Sequence, residues 1–402
     1  MLKCSGSQCF RLRIVCATLS GKPLRIDDIR ARDESPGLRD FEASFLRLIE
    51  KITNGCKIEI NETGTSLRYK PGVIVGGALL QHDCCTSRSI GYYLEALVIL
   101  GLFGKKPLSI TLRGVTNDLL DPGVDVFRTV TLPLLKQLGI EEGLELKVPK
   151  RGARPLGGGE VVLRVPVLKQ TMPPVNLTDE GMVCRIRGVA YSMKVSPQNT
   201  NRMVDGARGV LNKLLSDVFI FTDAVSGSSS GLSPGYGLTL VAETTSGCLI
   251  SAECCATTGG EDYGQSLLSR GDRSAGSRIM SSQGTGRSDE GLNGGSRVGE
   301  NEPLLVPEDI GSLAAHALLE EISRGGVVDG THQSMVLLLA AIGPEEANQV
   351  RLGPLTPQAV RTLRTLRDFF GVTFNMKAER ESKTIFLTCI GAGIKNTSKK
   401  VT

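Results

Sequence analysis

The residues with the clearest capacity for chemistry lie between positions 151 and 161, where two arginines and three consecutive glycines flank a proline. Arginine pairs well with phosphate oxygens, and consecutive glycines can bring backbone N–H groups close to an anion. A run of β-type residues at 161–165 predicts a strand. The segment therefore predicts either an anion-binding turn or a plain β-turn that feeds a strand. Its candidate residues are Arg151, Arg154, Gly157, Gly158 and Gly159.

Other basic residues could also supply positive charge to a phosphate backbone. One group lies near the start of the chain and consists of Arg30, Arg32 and Arg39. Arg113 and Asn117 lie close together in a second segment. A third group recurs every three residues, which places Arg361, Arg364 and Arg367 near one face of a helix. Surface ion pairs and a solvated helix face are the alternative roles for these side chains.

Acidic, histidine and cysteine residues give little sign of a metal or catalytic centre. Asp121 and Asp125 are one helical turn apart, a spacing that could hold a cation, but Pro122 between them favours a helix start instead. Of the three His in the chain, His316 and His332 fall in predicted helices. Eleven Cys without a Cys-x-x-Cys pair indicate free thiols in a reducing compartment. We expect no bound metal and no cofactor.

Composition indicates a globular protein of two or three domains. The chain has 402 residues, of which 40% are hydrophobic and 22% charged. The absence of Trp and an aromatic content of 4% argue against stacking platforms for single-stranded nucleic acid. A formal net charge of +5 is compatible with RNA contact. No apolar run reaches the length of a signal peptide or a membrane span, so we expect an intracellular, soluble protein.

Hydrophobic periodicity predicts three rounds of helices that alternate with paired strands. The first round has strands at 10–16, 23–29, 57–60 and 66–69 around a helix that begins at Pro36, with Ser35 as its N-cap, and ends near 53. The second has helices at 87–103 and 122–138 and strands at 108–113, 144–149 and 160–165. The third has helices at 307–324, 331–342 and 357–370, a strand before Gly353, and strands at 373–378 and 384–390. Between the last two lie strands at 185–195, 218–222, 238–243 and 248–254 and a helix at 198–215.

This order predicts an α/β (α+β) protein in which three repeated βαβαββ-like units form a large domain. A smaller α/β domain is inserted between the second and third units. The predicted boundaries are 1–184 for the first two units, 185–256 for the inserted domain and 304–402 for the third unit. Residues 257–303 are rich in Gly and Ser and predict a linker or loop.

Three segments carry a resemblance to a known family. The pattern Arg-Gly-x-x-Pro-x-Gly-Gly-Gly-x-Val at 151–161 resembles the signature of the RNA 3′-terminal phosphate cyclase family. Residues 114–117 are similar to its Gly-x-Thr-Asn segment, and residues 29–38 to its Ile-Arg-x-x-Arg…Pro-Gly-Leu segment. Longer runs at 30–55, 113–118, 189–213 and 240–247 resemble the cyclase-like branch that acts in ribosome assembly. The resemblance covers the chain outside 257–302 and implies the same fold of three repeated units and one insertion.

The resemblance also implies that the catalytic apparatus is missing. Active cyclases use a nucleophilic His that takes AMP from ATP, and the matching position here is Gln358, whose amide cannot attack a phosphate. Active members also begin with Asp-Gly-Ser-x-Gly-Glu-Gly-Gly-Gly-Gln, whereas residues 5–11 read Ser-Gly-Ser-Gln-Cys-Phe-Arg. The family's acidic residue and glycine cluster are absent. We therefore expect no catalytic residues.

The resemblance implies a non-catalytic factor of the nucleus and nucleolus that acts in small-subunit biogenesis and 18S rRNA maturation. It implies two partners, pre-rRNA within the small-subunit processome and a ribosome-assembly GTPase, and no membrane. Two enzymatic alternatives stay open, an ATP-dependent RNA 3′-phosphate cyclase that recruits His332 and a pre-rRNA endonuclease with a metal at Asp121 and Asp125. A protein scaffold without RNA contact is a third alternative.

Overall fold

The structure is a computed structural model that describes residues 1–140, 142–169, 171–256 and 305–396. Helices and strands form several mixed sheets, which confirms the α/β class. In the described residues each of the four larger sheets has four strands, with one parallel pair and two antiparallel pairs.

The first sheet has the strand order β1-β2-β5-β4 and lies in the N-terminal part of the chain. Its elements are β1 (Leu2–Ser5), α1 (Phe10–Ser20), β2 (Leu24–Asp27), α2 (Asp40–Ile52), β3 (Thr53–Asn54), β4 (Lys57–Ile60), β5 (Leu67–Lys70) and β6 (Val73–Ile74). The short strands β3 and β6 pair separately. β1 and β2 are parallel because α1 crosses between them.

Two predictions for this region are wrong. Residues 10–16 form the start of α1 and not a strand, because this helix packs against neighbouring helices and buries Ile14, Val15 and Cys16 together. A short β-branched run that is buried on several sides cannot be told from a strand by periodicity. Helix α2 begins at Asp40 and not at Pro36, since Gly37 has φ +92° and turns the chain away. Glu42 instead accepts the Arg39 backbone N–H at 2.9 Å and so satisfies a free donor at the helix start.

The second sheet has the order β7-β8-β10-β9 and holds the glycine-rich segment. Its elements are β7 (Gly77–Asp83), α3 (Ile90–Leu100), β8 (Leu108–Gly114), α4, β9 (Glu145–Lys150) and β10 (Gly159–Val165). Helix α4 runs through three consecutive pieces, an α-helical turn Val124–Val126, a π-helical turn Phe127–Thr131 and an α-helix Leu132–Gln137. The glycines 157–159 lie in the turn that leads into β10, as predicted.

The third sheet has the order β11-β16-β18-β17. Its elements are β11 (Asn176–Leu177), α7 (Gln333–Ile342), β16 (Ala347–Leu352), α8 (Pro357–Phe370), β17 (Asn375–Glu379) and β18 (Thr384–Ile390). One hydrophobic core runs through all three sheets and contains Ile26 of β2, Ile110 of β8 and Val350 of β16. These three sheets and their helices are called the main body below.

A fourth sheet, of order β13-β12-β14-β15, has its own hydrophobic core. Its elements are β12 (Val183–Met193), α5 (Gln198–Leu211), β13 (Val218–Val225), β14 (Gly235–Thr244), β15 (Leu249–Ala256) and α6 (Pro307–Arg324). Helix α6 packs against α5, and its Ile310 and Leu318 belong to this core. We call this two-layer unit the small domain. Its other sheet face contacts the main body through Val241, which packs against Val126 and Val130 of α4.

Three further predictions concern the cysteines, a membrane-spanning helix and the linker. All eleven cysteines lie in described segments and none forms a disulfide. Within the described segments, no helix has both the length and the apolar character needed to cross a membrane. The linker predicted at 257–303 lies outside the described residues.

Candidate functional site

The two segments that depart from the cyclase pattern meet in space. Gln358 occupies the first turn of α8, and its Nε2 lies 3.8 Å from Sγ of Cys9, the residue just before α1. Thr356 caps α8 by accepting the Ala359 N–H. The starts of α1 and α8 therefore form one site, and the chemistry expected there depends on Gln358 and Cys9.

Neither side chain supplies a nucleophile. Burial raises the pKa of the Cys9 thiol, although Arg13 and Arg361 nearby lower it. The thiol therefore stays protonated at neutral pH, and only a thiolate attacks readily. Gln358 carries an amide, which has no basic lone pair for attack on phosphorus.

The positions of the two histidines considered for catalysis do not suit a nucleophile. His332 is buried, and both ring nitrogens are engaged, Nδ1 with Asp329 Oδ1 at 2.8 Å and Nε2 with Thr131 Oγ1 at 2.9 Å. Asp329 also accepts two hydrogen bonds from Ser251 of the small domain. His316 is exposed on α6 and contacts the Ser312 carbonyl. His332 thus links α4, α7 and the small domain in the interior.

Arg151 is also buried, so its side chain is not accessible to a phosphate from solvent. Its side chain is 2% exposed and makes a bidentate ion pair with Asp125 of α4, at 2.7 and 2.9 Å. Its Nε donates to Asp223 of β13 at 2.8 Å, and its guanidinium lies 4.7 Å from the ring centre of Tyr191 on β12. Although burial raises the pKa of Asp125, Arg151 lowers it below the usual range. The structure gives Arg151 a structural role, in which it joins the main body to the small domain, and its role in anion binding stays a prediction.

Asp121 and Asp125, the proposed metal pair, form ion pairs with arginine side chains. Arg88 binds Asp121 through Nε at 2.6 Å and Nη2 at 2.5 Å. Among the described residues, no three His, Cys, Asp or Glu side chains are grouped so that they could hold a metal ion. The arginine partners neutralise these two carboxylates and compete with a cation for them.

Arg30, Arg154 and Asn117 lie close to further acidic groups. Arg30 makes a bidentate pair with buried Glu42, at 2.7 and 2.8 Å. Arg154 donates to the Ser87 carbonyl and to Asp118, at 3.3 Å for the latter. Asn117 is buried beside Asp125, and neither amide atom has a hydrogen bond of standard geometry to the described residues. Their prediction as RNA or anion ligands is untested, and the structure places all three largely inside.

The three glycines allow close packing between backbones. A Cβ on Gly158 would lie 2.8 Å from Cγ of Leu232, and one on Gly159 would lie 2.7 Å from the Gly152 nitrogen. The Gly157 N–H donates to the Ala153 carbonyl, and its own carbonyl accepts from the Leu232 N–H. The glycines therefore seat a loop of the small domain against the turn, and their prediction as an anion cradle stays a prediction.

The remaining predicted arginines point outward. Arg32, Arg364 and Arg367 are exposed, and Arg361 is half-buried near Cys9. Arg39 lies 4.0 Å from Asp33. Arg113 is 46% exposed and pairs with Glu160 at 3.0 Å. Since the α8 arginines start at the site of Cys9 and Gln358 and continue along the helix, they form the solvent-facing basic row of this site.

Sequence reasoning missed Glu253 of β15. This partly buried carboxyl accepts the Gly123 N–H at 2.8 Å, at the junction between the small domain and the main body. Burial, with Asp125, Asp118 and Asp329 nearby, raises the pKa of Glu253 to about 8. Glu253 lies two residues from Ser251 in a run with no acidic or basic neighbours, so no local pattern could have marked it.

Comparison with known proteins identifies the family of the chain. Residues 2–376 match the model of the family described as RNA 3′-terminal phosphate cyclase. The chain belongs to this family, which confirms the resemblance.

Individual relatives align with the chain over nearly their full lengths. The chain is 49% identical to the probable RNA 3′-terminal phosphate cyclase-like protein of Dictyostelium discoideum, over 99% of each chain. It is 47% identical to the RNA 3′-terminal phosphate cyclase-like protein of Homo sapiens, over 99% of this chain and 97% of the relative. It is 41% identical to the rRNA processing protein rcl1 of Schizosaccharomyces pombe, over 98% and 97%.

The Arg151 network generates a stability prediction. Replacement of Arg151 by Met leaves the buried Asp125 with only the half-exposed Arg128 as a cationic partner, at 3.1 Å, and should lower the free energy of unfolding by about 3 kcal/mol. The further change Asp125→Asn should recover part of this loss. The exposed Arg113→Met is the matched control and should cost no more than about 1 kcal/mol. Urea unfolding measures all three, and equal losses at Arg151 and Arg113 would contradict the structural role.

Glu253 generates a pH prediction. Because its pKa is raised from 4.5 to about 8 in the folded protein, folding retains a proton that the unfolded chain releases between these values. Stability should therefore fall as pH rises from 4.5 to 8 and then level off, by at most about 1.4 kcal/mol per pH unit. Glu253→Gln keeps the acceptor for Gly123 but cannot ionise, so its advantage over the unaltered protein should grow across this window. Parallel unfolding free energies for the two proteins would contradict this assignment.

Proposed function

We propose that this protein acts in small ribosomal subunit biogenesis and pre-rRNA processing, including 18S rRNA maturation, as a non-catalytic RNA-binding member of its family. The observation that carries the proposal is the site at the starts of α1 and α8. There the family's nucleophile position holds Gln358, next to the protonated Cys9 thiol. The name of the Schizosaccharomyces pombe relative, an rRNA processing protein, supports the process.

RNA would meet the outer, basic side of this site. Arg361, Arg364 and Arg367 lie on α8 with a rise of about 9 Å from first to last. Arg32, Arg39 and Arg113 are further outward cations on the main body. The interior arginines pair with buried carboxylates, so these exposed arginines would make the contacts with RNA phosphates.

The proposal extends to architecture and partners. The shared strand order of the three main-body sheets supports three repeated βαβαββ units. Because β11 pairs with β16, we propose that the small domain is inserted within the third unit, after its first strand, and not between the second and third units. Helix α6 belongs to the small domain, since it packs in that core.

A ribosome-assembly GTPase in the processome is the proposed protein partner, and the nucleus and nucleolus are the proposed location, both from the family resemblance. The contacts described above for His332, Asp121 and Asp125 do not favour either enzymatic alternative.

RNA binding should depend on salt through the α8 row. A triple variant, Arg361→Gln with Arg364→Gln and Arg367→Gln, should weaken binding to single-stranded RNA. It should reduce the slope of log K against log salt by about 2, since each lost phosphate contact removes about 0.7. Fluorescence anisotropy over a salt series measures the slope.

The matched control removes three exposed arginines that pair with acids elsewhere, Arg68, Arg164 and Arg202. It has the same change of net charge and should leave the slope unaltered. If both triple variants change the slope equally, the α8 row has no special role. If the unaltered protein binds no RNA, the RNA-binding proposal is wrong.

The protein should not form a covalent adenylate. After incubation with radiolabelled ATP and Mg²⁺, the denatured protein should carry no label, because Gln358 and the protonated Cys9 cannot attack the α-phosphate. Label that survives denaturation and disappears in His332→Ala would instead establish a cyclase-type enzyme. Label that disappears in Cys9→Ser would establish a thiol nucleophile.

A further inference from the structure

Strand β13 of the small domain exposes two phenylalanine rings. Phe219 and Phe221 are 58% and 56% exposed, while Val218 and Ile220 between and beside them are buried in the small-domain core. Leaving such rings in water forgoes a large apolar stabilisation. The chain contains no Trp and only eleven Phe and six Tyr. Two exposed rings on one strand therefore call for a functional explanation.

The two rings share a sheet face with two arginines. Alternate residues of a strand lie on one face about 6.6 Å apart, and β13 is parallel to β12 with Phe219 beside Arg187 and Phe221 beside Val189. On the same face, Arg185 of β12 lies opposite Glu243 of β14. The helices α5 and α6 cover the opposite face of this sheet.

Both guanidinium groups are held in fixed orientations and remain accessible. Arg187 binds Asp217 through both Nη atoms, at 2.7 and 3.0 Å, and is 40% exposed. Arg185 binds Glu243 through Nε at 2.8 Å and Nη2 at 2.5 Å, and is 46% exposed. A bidentate pair occupies the edge of a guanidinium and leaves its flat faces free to stack.

We propose that Phe219 and Phe221 form a stacking surface for two unpaired bases of single-stranded RNA, with Arg185 and Arg187 beside them as further planar, cationic groups. The proposal rests on the RNA-binding function proposed above and adds a second contact, made by base stacking and separate from the phosphate contacts of α8. Aromatic and guanidinium planes are the groups on which proteins splay RNA bases.

The spacing of the rings selects single strands. Stacked nucleotides in a duplex strand follow each other at about 3.4 Å, which is half the separation of the two rings. A strand that meets both rings therefore has its bases unstacked. The flat guanidinium faces beside the rings suit flat bases better than a peptide, which would use the backbone edge of β13.

The surface is continuous with the junction between small domain and main body. Further along β13, Asp223 on the same face binds Arg151, and Val225 packs near Tyr191. The stacking surface therefore lies at the solvent end of a rigid strand whose other end is anchored in the interior. A base that stacks there meets a preformed surface, which lowers the entropic cost of binding.

The test uses the full-length protein with a fluorescent uridine decamer and a duplex of the same length. Phe219→Ala with Phe221→Ala should weaken decamer binding at least about tenfold, as loss of base–aromatic stacks does, without changing the salt slope. Phe219→Leu with Phe221→Leu keeps the apolar contact but removes the ring faces, and should lose most of the affinity as well. Phe219→Tyr with Phe221→Tyr should bind like the unaltered protein. Photocrosslinking with 5-iodouridine should label the peptide 218–225.

The outcomes separate this surface from the proposed function. Unaltered decamer affinity in the Ala variant overturns the stacking surface, as does full affinity in the Leu variant, which would show that apolar contact and not ring stacking binds the RNA. If only the α8 triple variant weakens binding, the RNA-binding function stands and the stacking surface does not. No binding by the unaltered protein removes both. Thermal unfolding confirms that each variant is folded, which we expect since both side chains are more than half exposed.

Discussion

The buried guanidinium of Arg151 is the constraint on which the arrangement of this protein depends. A desolvated charge is tolerated only when several partners surround it, and Arg151 takes Asp125 from α4, Asp223 from β13 and the ring of Tyr191 from β12. These partners belong to separate layers, so the pairing fixes the position of the small domain on the main body. The glycine-rich turn after Arg151 permits the close backbone contact that this position requires.

The same rule divides the arginines of the chain into two classes with different roles. Arginines that face the interior are neutralised by carboxylates, as in Arg88 with Asp121 and Arg30 with Glu42. Arg364 and Arg367 of α8 lie in water, where the ion pair of Arg367 with Asp368 at 3.5 Å is open to solvent. The proposed RNA contact thus uses the outward arginines, while the buried ion pairs hold the framework together.

Much of the secondary structure follows from local pattern. The strong amphipathic stripe of α8 and the Pro at its first position predict its bounds, Pro357–Phe370, correctly. The pattern fails at α1, where the run around Ile14 and Val15 is buried by helices that come from distant parts of the chain. It also misses β1 and β7, because a strand of four residues has too few alternations to detect and β7 is interrupted by a register shift after Gly77.

The sequence by itself determined the family, since the family's motifs depend on residue types and spacing. Only the tertiary structure decided which of those residues meet solvent. Arg151 and Arg361 are equally basic in sequence, yet one is buried against carboxylates over 20 residues away in the chain, Asp125 and Asp223, and the other borders solvent. The low aromatic content likewise argued against a stacking surface, whereas the fold places Phe219 and Phe221 together in the open. Burial is a property of long-range packing, and no local pattern encodes which neighbours the fold will bring.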